Sequence, residues 1–116
     1  MDVLMHRQAM ILLSCLGVAL VTPAPAAPVD FVRDVQPILS KNCYECHGPK
    51  AKGGVRLDLR DAATRGGVTG NTIVPGKAAD SVIVHRLKRD GGEDRMPLRK
   101  PPLTDEQVAT IAAWID

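Results

Sequence analysis

Cys43-Tyr44-Glu45-Cys46-His47 constrains this chain more than any other stretch. On a helix, residues three and four apart share a face. Cys43 and Cys46 therefore present two sulfurs along one edge, and the imidazole of His47 turns toward the same side. Two thiols two residues apart, closed by a histidine, form the attachment pattern of c-type haem. The thiols suit the two vinyl groups of one porphyrin, and a neutral ring nitrogen of His47 suits its iron. Tyr44 and Glu45 read as exposed spacers. A zinc site needs four ligands, usually two such pairs, and Cys15 is the one cysteine left over. A thioredoxin-like dithiol belongs in a βαβ surround, and no strand pattern precedes Cys43. A redox dithiol stays as the alternative.

The segment 1–26 reads as a secretory signal peptide. His6 and Arg7 make a cationic start, an apolar run follows from Ala9 to Val21, and Ala24-Pro25-Ala26 offers a cleavage site. The apolar run is short for a membrane span, which needs roughly 20 residues. An uncleaved anchor is the alternative, and a membrane is a partner only in that case. Leu12-Leu13-Ser14-Cys15 resembles a lipoprotein acceptor site, but the sequence stays apolar after Cys15, where a lipoprotein turns polar. Export agrees with covalent haem, which is assembled outside the cytoplasm. The expected location is periplasmic or exported.

Segment 27–116 is then the mature domain, about ninety residues. So small a chain buries a limited share of its surface, and its only aromatic residues are Phe31, Tyr44 and Trp114. A large apolar cofactor would supply what the side chains lack, so the chain without it should fold poorly. The formal net charge of +2 is near balance, and the haem propionates would offset roughly that much. No basic stripe with interleaved aromatics is present, which argues against nucleic acid as a partner.

Asp30 to Ser40 reads as a helix with Asp30 as N-cap and Phe31, Val35, Ile38 and Leu39 on its apolar face. Pro37 costs it a hydrogen bond and kinks it. The helix runs into the cysteine motif, and Gly48-Pro49 ends the motif's own turn. The stretch from Ala51 to Pro75 is rich in glycine and reads as loop. Within it Val55, Leu57 and Leu59 alternate with polar residues, which fits a short strand or an extended segment turned to a haem edge. Asp80 to Lys88 reads as a second helix capped by Asp80 or Ser81, with Val82, Ile83, Val84 and Leu87 apolar. Thr104 and Gln107 form a capping box for a last helix, whose buried stripe is Val108, Ile111, Ala112 and Ile115.

An iron that only moves electrons needs a second axial ligand, usually methionine or histidine. Met96 is the only methionine after the signal segment, and Pro97 biases its backbone toward an extended form. We take Met96 as the distal ligand. The alternative is a core gap-filler. His85 competes, but a helical wheel places it with Arg86 and Lys88, away from Val82, Ile83 and Leu87, as a solvated histidine. Arg56 and Lys52 are candidate propionate partners, and Arg56 is preferred because its fork matches a carboxylate.

Several segments together carry a resemblance. They are Cys43 to Gly48, Lys52-Gly53-Gly54-Val55-Arg56-Leu57-Asp58, Val74-Pro75-Gly76-Lys77 with Ser81, Arg95-Met96-Pro97, and Leu103 to Asp116. From about Val29 to Asp116 the chain resembles the planctomycete-type cytochrome c domain, a branch of the class I c-type cytochromes. The resemblance implies an all-α, class I cytochrome c-like fold of three to four helices around one covalent haem, with a Gly-rich loop region. It implies N- and C-terminal helices crossing near the haem, thioether bonds to Cys43 and Cys46, and His47 and Met96 as axial ligands of the iron. Two positions depart from the usual pattern: Leu98 stands where Met-Pro-Pro is common, and Asn71 where Gly-Pro is common. Such domains often front longer proteins. The expected function is single-electron transfer between redox protein partners, as a monomer or as one module of a larger chain. The alternatives are a haem enzyme or a gas or peroxide sensor with an open iron site, and a haem module feeding an attached or neighbouring enzyme.

Overall fold

The structure is a computed structural model that describes residues 19–25, 27–68, 70–88 and 92–116. The segment read as a signal peptide therefore lies almost wholly outside the described residues, Cys15 included. The described fold is all-α, with no strand and one isolated bridge between Gly67 and Gly70.

The first helix opens at Asp30. Its Oδ1 accepts from the Arg33 amide at 2.7 Å, and Asp34 Oδ2 accepts from the Asp30 amide at 2.9 Å. This reciprocal pair satisfies amides that a helix start leaves without partners. Phe31–Val35 forms a π turn, in which the Gln36 amide donates to the Phe31 carbonyl, and α1 follows over Gln36–Asn42. Pro37 accounts for the irregularity. It has no amide to donate, and its ring crowds the carbonyl four residues back. Widening the preceding turn accommodates both. Val35 and Leu39 are buried on one face.

The helix does not run unbroken into the cysteine motif. Cys43 leaves helical geometry at φ −126°, ψ −37°, and a separate turn, α2, spans Tyr44–His47. The expected loop beyond it also contains more order than the glycines suggest. A 3₁₀ turn covers Lys52–Gly54, and α3 spans Arg60–Arg65, burying Ala62 and Ala63. The strand reading of Val55–Leu59 is overturned. Leu57 is buried, but Leu59 is 49 % exposed, and the chain bends there into α3.

A 3₁₀ turn at Ala78–Asp80 leads into α4, Val82–Leu87, which buries Ile83, Val84 and Leu87. Ser81 holds the N-cap position but caps nothing with its side chain. Its buried hydroxyl instead donates to the Lys77 carbonyl and accepts from the Val74 amide, both at 2.9 Å. The last helix, α5, spans Asp105–Ile115 with both halves of the Thr104–Gln107 capping box present. Ile111 and Ile115 are buried, while Val108 and Ala112 pack at the margin of the same core. Phe31 and Trp114 stack at 5.0 Å with their planes tilted by 42°, joining the N-terminal turn to α5. Such a pair adds about 0.5–1.5 kcal/mol beyond its burial.

Candidate cofactor site

α2 is short because its ends are fixed from both sides. The Cys43 amide donates to Leu39 at 2.8 Å, which hangs the motif on α1, and the His47 amide closes the turn onto Cys43 at 2.8 Å. Gly48 ends it. A Cβ at that position would lie 2.5 Å from the Tyr44 carbonyl oxygen. Cys43, Cys46 and His47 are all half-buried, and all three line one cavity of about 280 Å³.

The segment after α2 steadies His47. The Leu57 amide donates to the His47 carbonyl at 2.7 Å, and the His47 ring Nδ1 lies 3.4 Å from the Val55 carbonyl. An imidazole whose Nδ1–H faces a backbone carbonyl keeps its Nε2 lone pair for a metal. The stretch read as a strand thus supplies the contact that orients the histidine. Val55 and Leu57 also wall the cavity.

Met96 reaches the same cavity from the segment after α4. Its amide donates to the Arg86 carbonyl at 2.7 Å, so α4 fixes its backbone. Val82, Ile83 and Leu87 complete an apolar wall. Lys100, four residues past Met96, forms an ion pair with Glu45 at 3.0 Å, which links this segment to the cysteine turn. Both partners are well exposed, so solvent screens the pair and it adds little to stability. The contact still lowers the Glu45 carboxyl pKa and raises that of Lys100. Glu45 is exposed as expected, but it is not idle.

Burial pushes the Cys43 thiol up to about 11, with the neighbouring Cys46 adding to the shift and Lys100 opposing it. A disulfide-exchange nucleophile needs the reverse, a thiol held low by cationic surroundings. The dithiol reading loses ground on that count. Among the described residues, no group of three or more His, Cys, Asp or Glu is placed to hold a metal ion by itself. The zinc reading therefore has no ligand set there.

Arg56 does not join these donors at the cavity. Its fork closes on Asp58, Nε to Oδ1 at 3.0 Å and Nη2 to Oδ2 at 2.6 Å, and it does not line the cavity. The pair lowers the Asp58 carboxyl pKa through that hydrogen bond. A guanidinium two residues from a carboxylate finds it before any distant anion. Lys52 does line the cavity, as do Lys100 and Arg86. Arg86 corrects the helical wheel, which groups it with His85 on the solvated face. His85 is exposed, with Nε2 2.6 Å from the Ala79 carbonyl, and lies outside the cavity wall.

Residues 43–99 match the family model of planctomycete cytochrome c. The chain carries a planctomycete cytochrome c domain. No curated protein and no solved structure matches it. The match is narrower than the resemblance read from the sequence. It begins at Cys43 and ends before α5, so the two terminal helices pack against the matched segment from outside it. Cytochrome c domains bind haem covalently, and the donors here suit that group. Two thiols stand on one turn, an imidazole follows the second, a thioether comes from a separate segment, and the remaining wall is largely apolar.

Proposed function

We propose that this cytochrome c domain is an exported single-electron carrier. In this reading Cys43 and Cys46 hold one haem c through thioether bonds, and His47 and Met96 ligate its iron. The observation that carries it is the arrival of all four donors at one apolar-walled cavity. The bound group supplies a one-electron couple between ferric and ferrous iron, and the protein supplies burial, ligands and access.

Each donor has a distinct task. Cys43 and Cys46 fix the group to α2. His47 offers Nε2 while the Val55 carbonyl holds its other nitrogen. Met96, clamped by the Arg86 carbonyl, offers a thioether that raises the potential relative to a second histidine. With His47 and Met96 both given to the iron, no coordination site would remain for a substrate, which favours electron transfer over catalysis.

The partner in this reading is an acidic redox protein. Val68 and Leu98, 85 % and 53 % exposed, lie on the cavity wall. Lys50, Lys52 and Lys100 surround Glu45 beside it. An apolar edge among cations steers an acidic surface and then gives it a dry contact. Among the described residues no helix is long and apolar enough to cross a membrane. The proposed export rests on the sequence of the segment 1–26.

The test is the visible spectrum of protein matured in an exporting host with haem-attachment machinery. A low-spin spectrum with a far-red ferric band, lost in Met96→Ala, is expected. A high-spin spectrum that shifts with carbon monoxide would mean an open iron site and a catalytic or sensing role. Protein without haem would overturn the reading.

A further inference from the structure

The polar side chains on an otherwise apolar cavity wall carry more information than the apolar ones. Thr72 is only 6 % exposed and lines the cavity, and its hydroxyl makes no hydrogen bond to any described residue. No buried side-chain oxygen or nitrogen among the described residues lacks a partner, so this unpartnered hydroxyl is not sealed in the core and stands free to meet a ligand in the cavity. Arg86 lines the same wall, with its side chain 26 % exposed. Among the described residues its ion-pair partner is Asp94, at 3.9 Å, beyond hydrogen-bond reach and 79 % exposed. Most of the guanidinium's five donors are therefore unspent among the described residues.

One short helix holds both residues. The amides of Val82 and Ile83 in the first turn of α4 donate to the carbonyls of Asn71 and Thr72, each at 3.1 Å. Arg86 follows one turn later on α4. A hydroxyl and a planar cationic fork at one wall match a single carboxylate, which accepts from both. The other cations fit worse: Lys100 is committed to Glu45 and Arg56 to Asp58, and Lys52, which also lines the cavity, offers a point charge rather than a fork.

We propose that Arg86 and Thr72 together bind one propionate of the haem, Arg86 through charge-assisted hydrogen bonds and Thr72 through its hydroxyl. This rests on the haem reading above and extends it to a residue pair. Both act as positioning residues. An ionised propionate near the iron favours the more positive oxidised state, and a guanidinium beside it offsets that preference. Loss of Arg86 should therefore lower the reduction potential.

The experiment compares haem-loaded wild type with Arg86→Gln, Arg86→Lys, Thr72→Val and Thr72→Ser at one pH and ionic strength. The readouts are the potential from a redox titration and the propionate bending band in the resonance Raman spectrum. The far-red ferric band checks that the Met96 side remains in place. Arg86→Gln and Thr72→Val should each move the bending band and lower the potential, Arg86→Gln by more. Arg86→Lys and Thr72→Ser should recover most of both. If Arg86→Gln does not mature, the Thr72 pair decides. A band and potential unmoved by Arg86→Gln and Thr72→Val would overturn the proposal while leaving haem binding intact. A wild type that carries no haem would overturn both together.

Discussion

Gly48 shows how narrowly the donor turn is set. Its φ of −99° lies outside the left-handed region, and contact makes the case for glycine. A Cβ there would press on the Tyr44 carbonyl, a backbone atom that cannot swing aside. Gly48→Ala should cost about 1–3 kcal/mol, the range for forced overpacking, read as a lower urea midpoint of the haem-loaded protein. An unchanged midpoint would mean that α2 relaxes freely. Asp34 governs acid behaviour at the same scale. The hydrogen bonds from Arg33, and then the Asp30 amide, hold its carboxyl down to about 2 against an ordinary 3.8. A depressed carboxyl stabilises the fold fully above its ordinary value, and that contribution fades as pH falls toward the folded value. Wild type should therefore exceed Asp34→Asn in urea midpoint near neutrality. The gap should close between roughly pH 4 and pH 2. A gap independent of pH would show that Asp34 acts by some other means. Single residues also mark what sequence can reveal. The grouping of Cys43, Cys46 and His47 is legible because it is local to one turn. The Val55 carbonyl beside His47 and the cavity-facing Arg86 are not, because each depends on how separate segments pack.

At the scale of elements, local codes and tertiary contacts divide in the same way. α5 is legible from Thr104 onward because a capping box is written in four consecutive residues. Thr104→Ala removes the side-chain half of that box and should cost about 1 kcal/mol. Thermal unfolding followed by circular dichroism would check it, and a loss well below half that value would mean that packing alone sets the start of α5. α3 is hidden in the sequence for the opposite reason. It buries Ala62 and Ala63, which give no strong apolar period, and it follows an alternating stretch that imitates a strand. The end of α5 is also completed at a distance. The Gly76 amide donates to the Ile115 carbonyl at 2.7 Å, and the Ala78 amide to Asp116 Oδ1 at 2.8 Å. A carbonyl that the helix end leaves open and the Asp116 carboxylate thus tie α5 to the turn before α4, which in turn bears Arg86 and holds Thr72. The irregular first helix belongs here too, since Pro37 announces a disturbance but not that a π turn absorbs it.

For the whole molecule, cofactor wall and core share part of their surface. Leu57, Ile83 and Leu87 belong to the buried cluster and also line the cavity. Removing the occupant would expose these core residues, in a chain with little core to spare. The proposed ligation would add a second effect. A group tethered at Cys43 and bound by Met96 would join residues 53 positions apart, and so act as a cross-link. In the chain-entropy model, closing a loop of about fifty residues stabilises the fold by about 4 kcal/mol. Three states should then rank in order. Wild type with haem should be the most stable. Met96→Ala with haem still attached should be less stable by up to about 4 kcal/mol. The chain produced without attachment machinery should show reduced helical dichroism and no cooperative transition. Urea titrations of all three at one pH would test the ranking. Equal midpoints for wild type and Met96→Ala would separate Met96 from any cross-linking role. A cooperative transition without haem would show that the side-chain core suffices, and that the cavity is an addition to the fold rather than its centre.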